Sequence, residues 1–185
     1  MTSHGARLTI RRARFSDAAR LCDFKRLALR ETEFLLQGPE DWLDDVPAER
    51  SLIEAFVNHD RSVLLLAVLD DGDDDASVVG MISIVGGPFR RNAHVGQLGM
   101  GVLRSQWRRG VGRALLDASL RWAAGPGGLE KVSLQVHADN HPARRLYESS
   151  GFVAEGVLAG EALLGEALCD LVVMGRFLAD LREVS

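Results

Sequence analysis

Two stretches of this chain carry residue types and spacings that chemistry could use. The first is Arg108-Arg109-Gly110-Val111-Gly112-Arg113, placed where a strand-like pattern gives way to a helical one. A helix begins with backbone N–H groups that have no intrahelical partner. They converge with the positive end of the helix dipole, an arrangement suited to phosphate. Glycine lets an anion approach the main chain, and the flanking arginines add long-range attraction and charge-assisted hydrogen bonds. A Walker-type loop needs Lys-Ser/Thr after its last glycine, but Arg113-Ala114 follows here; a dinucleotide fingerprint needs Gly or Ala where Leu115 stands. Read alone, the stretch fits a tight turn into a packed helix as well as a phosphate site.

The second stretch runs from His137 through Asp139, Asn140, His141, Pro142 and Ala143 to Tyr147, followed by Ser150-Gly151-Phe152. A tyrosine can donate a proton to a leaving group, but the spacing of Tyr147 from Ala143 equally suits a core residue closing a helix against a sheet. His137 and His141 have the i, i+4 spacing of metal ligands. Pro142 and the break between strand and helix separate their faces and no third ligand is evident, so no metal is expected. The acidic run from Asp70 to Asp75 reads as a solvated hairpin turn rather than a cation site. Cys22 and Cys169 lie far apart and outside any Cys-x-x-Cys spacing, so they read as buried small apolar residues in a reducing compartment.

Elements that position these stretches follow from periodicity. Arg7 to Arg12 alternate as a first strand. Ser16 is the expected N-cap of a helix whose apolar positions are Leu21, Phe24, Leu27 and Ala28. Glu31 to Asp45 reads as a loop, Ala48 to His59 as a second helix. Ser62 to Leu69, Val78 to Val85 and His94 to Leu103 read as three strands. Val111, Leu115, Ala118 and Trp122 fall on one face of a helix that Gly125-Pro126-Gly127-Gly128 stops. Val132, Leu134 and Val136 alternate, Pro142 opens a short helix that Gly151 ends, and two strands close the chain, from Phe152 and from Leu171 to Phe177, around a loop containing Gly165. This order gives one mixed α/β sheet with helices on its faces.

With 185 residues, an apolar share of 46% and a net charge of −4, the chain suits one globular domain that needs no staple. The charge argues against a broadly basic nucleic-acid binder. Met1 to Ala6 lack the apolar core of a signal peptide, and no apolar run reaches the ~20 residues that span a bilayer. A cytoplasmic protein with neither nucleic-acid nor membrane partners is expected.

The two stretches together closely resemble the signatures of the GNAT superfamily of N-acetyltransferases. That family's first signature is Arg/Gln-x-x-Gly-x-Gly/Ala at a strand-to-helix turn; its second is Asn-x-x-Ala-x-x-x-Tyr followed by Gly-Phe. Asn140, Ala143, Tyr147, Gly151 and Phe152 complete the second. Gly110 and Gly112 match the first, while Trp107 stands at its leading position, leaving Arg108 or Arg109 for the outer pyrophosphate contact. Arg30 to Leu35 and Asp170 to Met174 resemble a bacterial subgroup of small-molecule and uncharacterised GNAT enzymes. The resemblance implies a single-domain α/β fold over residues 7–178, with 1–6 and 179–185 as terminal extensions. Its mixed central sheet would have about seven strands flanked by about four helices.

What the resemblance implies chemically is acetyl transfer from acetyl-CoA to a primary amine by direct attack, without metal. The acceptor would be an amino acid, another small amine or a protein N-terminus. Arg108, Arg109, Gly110, Val111, Gly112 and Arg113 would hold the pyrophosphate. The pantetheine arm would pair with backbone at Met100, Gly101, Val102 and Leu103 between two diverging strands, beside Asn140 and Ala143. Tyr147 would be the acid, its phenol near ~10 against ~8.5 for a thiol. Glu33 and Asp170 are expected in the acceptor cleft as base or as electrostatic partners of the amine, with Glu31 and His94 as further candidates. Many relatives dimerise, so a homodimer is compatible with the resemblance. A CoA-binding sensor or interaction module without turnover is the alternative, and a phosphate- or nucleotide-binding protein of unrelated chemistry is a third reading.

Overall fold

The computed structural model describes residues 7–42, 44–70 and 76–182. Its elements follow the expected order: β1 (Arg7–Arg12), α1 (Ala18–Glu31), α2 (Val46–Val57), β2 (Val63–Asp70), β3 (Ser77–Gly86), β4 (Val95–Val102), α3 (Val111–Ala124), β5 (Lys131–His137), α4 (His141–Glu148), β6 (Val153–Leu164), β7 (Ala167–Phe177) and α5 (Ala179–Arg182). The seven strands form one sheet in the order β1-β2-β3-β4-β5-β7-β6. Among the described residues only β4 and β5 pair in parallel. Parallel neighbours need a crossover connection, and α3 supplies it. The glycine-rich turn therefore opens the one helix that links the parallel pair.

Helices cover both faces. A methyl group on Gly101 would lie 3.6 Å from Phe24 of α1, and one on Gly80 would lie 3.0 Å from Leu115 of α3. Gly80 pairs with Val102, so alternation along β4 turns Val102 toward α3 and Gly101 toward α1. Val63 to Val68 are buried without interruption in β2, and α3 adds Val111, Leu115, Leu116, Leu120 and Ala123 to the same core. That run is what a strand covered on both faces must carry.

Several local expectations change. Ser16 does not cap α1; a 3-10 turn over Phe15–Asp17 precedes the helix, and Asp17 is its N-cap. Leu27 is 50% exposed rather than core. Cys22 is buried, and burial chiefly, with Glu49 nearby, pushes its thiol up. Cys169 is only half-buried, out on β7, and both thiols are free. The closing strands are longer than periodicity suggests, because β7 begins at Ala167 and a two-residue turn at Gly165-Glu166 joins it to β6. Gly165 takes φ +63° there, a conformation glycine adopts without steric cost. Met1 to Ala6 and the acidic run from Asp71 to Asp75 lie outside the described residues. Among the described residues, no helix is long and apolar enough to cross a membrane.

Asp17 carries the entry to α1. Its carboxylate is 1% exposed, accepts two bonds from Arg11 at 2.6 and 2.7 Å and one from the Arg14 N–H at 2.8 Å. Burial alone would raise its pKa, but those bonds and the charges of Arg11 and Arg20 outweigh it and hold the carboxyl below its usual range. A depressed folded pKa contributes stability that is present above the ~3.9 of an unfolded aspartate and lost as pH falls through the folded value. Asp17→Asn should therefore cost about 1–3 kcal/mol at neutral pH. The difference from wild type should shrink below pH ~4 in denaturant titrations; a constant difference across that range would contradict the assignment.

Candidate active site

The parallel pair does not stay paired. β4 and β5 are in register only at Val95–Lys131, Gly96–Val132 and Gln97–Ser133. Beyond these residues the strands part, so Leu98 to Val102 and Leu134 to His137 border a gap. Leu103 N–H donates to Val79 O at 3.0 Å. By the alternation of an antiparallel ladder, Leu103, Gly101 and Gly99 spend their polar groups on β3, while Met100 and Val102 direct theirs into the gap. The expected backbone set of Met100, Gly101, Val102 and Leu103 thus divides, and only its even-numbered members face the opening. The indole Nε1 of Trp107 donates to Val102 O at 2.7 Å, which leaves the Met100 and Val102 N–H groups as the donors of this edge.

The turn into α3 stands at the end of the gap. Gly110 is the N-cap at φ +83°, and a Cβ built on it would meet nothing within 4 Å. The first helical bond runs from Ala114 N–H to Gly110 O at 3.0 Å, so the N–H groups of Val111, Gly112 and Arg113 come before any intrahelical acceptor. Val111 turns its side chain into the core and offers only its main chain here. A Cβ on Gly112 would lie 3.3 Å from Leu146 Cδ2 of α4, so this glycine sets how closely α3 and α4 approach. Arg108, at φ +59°, and Arg109 are both exposed. Arg113 differs from expectation. Its guanidinium donates to Ser150 Oγ at 2.8 Å and Ser149 Oγ at 2.5 Å, tying α3 to the end of α4, so only its backbone N–H belongs to the turn.

Trp107 fills the position where the first signature has Arg or Gln. Beyond its bond to Val102, it lies under the Arg104 guanidinium, 5.9 Å from the ring centre, with 45% of its surface exposed. Arg104 N–H in turn donates to Glu31 Oε2 at 2.7 Å. The last residue of α1 therefore grips the end of β4, a role sequence periodicity gave no sign of.

On α4, Asn140 caps the helix by accepting from Ala143 N–H at 3.2 Å, with Pro142 in the first turn. That geometry fixes the loop after β5 and aims Tyr147 inward. Tyr147 is 6% exposed and packs edge-on against Phe152, ring centres 5.8 Å apart. Burial lifts its phenol to about 12. This exceeds the ~10 of a free tyrosine and corrects the small mismatch with a thiol expected from sequence.

Candidates for the base scatter. Asp170 is exposed, and its Oδ1 takes the Gly160 N–H at 2.9 Å. Since His137 pairs with Leu171, alternation along β7 puts Asp170 on the opposite face from His137. Glu33 is exposed in the segment after α1. His94 precedes the other end of β4, about six to nine residues from Met100 to Leu103 at ~3.3 Å each. His137, weighed from sequence only as a metal ligand, is 4% exposed. Its Nε2 is buried without a hydrogen-bond partner, and its ring meets Phe34 edge-on, centres 5.8 Å apart. The available signal was the alternation of β5: Val132, Leu134 and Val136 go one way, Ser133, Gln135 and His137 the other. Among the described residues no group of three or more His, Cys, Asp or Glu could hold a metal ion.

Comparison with known proteins adds to this geometry. The family model described as the acetyltransferase (GNAT) family matches residues 25–152. An L-amino acid N-acetyltransferase of Escherichia coli, AaaT, is 32% identical over 103 residues, 55% of this chain and 63% of the relative. The chain thus spans under two thirds of that curated relative, and 48% of an N-alpha-acetyltransferase of Saccharolobus solfataricus. The crystal structure of an acetyltransferase of the GNAT family from Streptococcus pneumoniae superposes with a TM-score of 0.87 at 28% identity, covering 94% of this chain and 100% of the other. That of yncA from Salmonella typhimurium, solved with its cofactor acetyl-CoA, gives 0.80 at 21% identity, covering 94% and 95%, and bears on the fold alone.

Proposed function

Since the chain belongs to the acetyltransferase (GNAT) family, we propose that it transfers the acetyl group of acetyl-CoA to a small primary amine. The observation that carries this reading is the parting of β4 from β5 next to a helix start that no side chain caps. One edge presents the Met100 and Val102 N–H groups to a chain-like ligand, and its end presents those of Val111, Gly112 and Arg113 to a diphosphate. The open space beside Gly110 fits the same group, because nothing of the protein fills it.

Acetyl-CoA supplies an activated acetyl thioester. The rest is work for this chain's residues. The N–H groups of the turn, with Arg108 and Arg109 adding attraction, fix the diphosphate. Met100 and Val102 orient what lies in the gap, and one of these donors polarises the reacting carbonyl, worth roughly 10²–10³ in rate. Asn140 and Ala143 hold α4 so that Tyr147 points inward and gives its hydrogen bond to the departing sulfur. Domain residues 7–178 suffice for this work, in the cytoplasm, with no nucleic acid or membrane as partner.

An amino-acid acceptor is favoured over a peptide because a curated relative is named for L-amino acids and because Phe34 and His137 close together at the end of α1. The expected result of a thiol-release screen with acetyl-CoA over L-amino acids, diamines and aromatic amines is turnover with one class at typical rates of ~1–10³ per second. A folded protein that binds no coenzyme A by calorimetry would overturn the proposal. One that binds it but acetylates nothing would turn it into the sensor reading.

A further inference from the structure

On the acceptor side of the gap, the chain departs from a simple arrangement in which β4 carries the base. The positions that β4 turns toward α1 beyond its pairing with β5 are Gly99 and Gly101, preceded by Gln97. None is ionisable. Glu31 is spent on the Arg104 N–H, Glu33 is exposed, and Asp170 lies on the other face with its own partner. Continuing the parallel register of Gln97 with Ser133 brings His137 level with Gly101, on the same face and across the opening. It is there that a buried imidazole nitrogen lacks a partner.

A buried polar atom left without a partner loses its hydration and gets nothing back. A fold keeps one where something else completes it. We infer that His137 Nε2 receives the amino group of the acceptor and takes the proton that blocks its attack. This rests on the acetyltransferase reading and assigns its base. With the ring proton on Nδ1, Nε2 offers a lone pair. One N–H bond of the incoming ammonium breaks and its proton goes to Nε2. The freed nitrogen forms a bond to the acetyl carbonyl carbon, the C–S bond breaks as Tyr147 gives its proton to the sulfur, and the nitrogen's second proton leaves to restore the Tyr147 hydroxyl. His137 then returns its proton to solvent. Phe34, at the surface and edge-on to the imidazole, is the side chain the amine must pass. The charged groups carried by the surrounding elements are Glu31 and Glu33 at the end of α1, Arg104 after β4, and Asp139, His141 and Arg144 beyond β5.

The test compares wild type with His137→Phe, which keeps a ring against Phe34 and removes the nitrogen, and with His137→Gln should the first fold poorly. L-phenylalanine, L-lysine, benzylamine and putrescine serve as probes. Coenzyme A affinity should stay within about twofold while kcat/KM falls by about 10² or more. The acid limb of the wild-type pH profile should disappear. In ¹⁵N-histidine-labelled protein loaded with coenzyme A, the resonance missing from the variants should move toward imidazolium when a productive amine is added. Unchanged kcat/KM and pH profile in the variants, or a histidine signal indifferent to all four amines, overturns the assignment of His137 while leaving coenzyme A binding intact. Loss of coenzyme A binding by wild type would instead strike the reading beneath it.

Discussion

Tyr147→Phe is expected to lower kcat for acetyl transfer by about 10²–10³ while coenzyme A affinity changes by no more than about threefold. The ring would remain, edge-on to Phe152, so packing is preserved and only the hydroxyl is lost. The reason for a large effect is the environment of that hydroxyl. Burial raises the phenol to about 12, roughly 3.5 pH units above a free thiol at ~8.5. Handing over the proton before the C–S bond breaks would be uphill. As the sulfur gains charge, its basicity rises and a fixed, dry hydrogen bond strengthens with it, which stabilises the transition state more than the bound ground state. The effect should therefore sit in kcat and not in binding. Activity should also show no alkaline loss from this group until pH nears 12. A raised folded pKa means that Tyr147 adds stability fully present below ~10 and lost as pH rises through the folded value, a transition that Tyr147→Phe should lack. Turnover equal to wild type would leave Tyr147 a core residue.

Gly110→Val should weaken coenzyme A binding by about a hundredfold, near 2.7 kcal/mol, and raise the KM for acetyl-CoA with kcat less affected. Two causes add. Valine at φ +83° is strained by about 1–2 kcal/mol, and its branched side chain would project into the clear space through which an anion reaches the N–H groups of Val111 to Arg113. Each charge-assisted bond lost is worth about 1.5–3 kcal/mol. The strain should appear as a lower Tm of a few degrees, which separates it from the binding loss measured by calorimetry well below Tm. Gly112→Val is the less clean probe, because its side chain would also press on Leu146. Affinity within about twofold of wild type for a folded Gly110→Val would remove the turn from the cofactor site.

Much of this is legible in the sequence, for a physical reason. The turn from Trp107 to Arg113 and the run from Asn140 to Tyr147 are local, and their work is done by caps, glycines and helix starts that the sequence spells out in order. The strand pattern of Val132, Leu134 and Val136 gave β5 its core face in the same way. What escaped depended on register between distant strands. Which of Met100 to Leu103 face the gap is decided by pairing with β3. Asp170 turns away because Leu171 pairs with His137. The bonds from Trp107 to Val102 and from Arg104 to Glu31 join side chain to backbone across elements and leave no periodic trace. The ribbon of β6 and β7 outran its expected ends because backbone pairing and a glycine turn carry it where apolar alternation has stopped.

The carboxylate that closes α1 onto the Arg104 amide just after β4 makes one mechanical unit of the parts that would select an amine and the parts that would seat its donor. Specificity in such a unit is not a detachable module. Grafting the first helix of a relative onto this chain, without the matching strand end, would loosen the donor's seat along with changing the guest. A shift in acceptor preference here would have to arise through paired replacements on both sides of that contact.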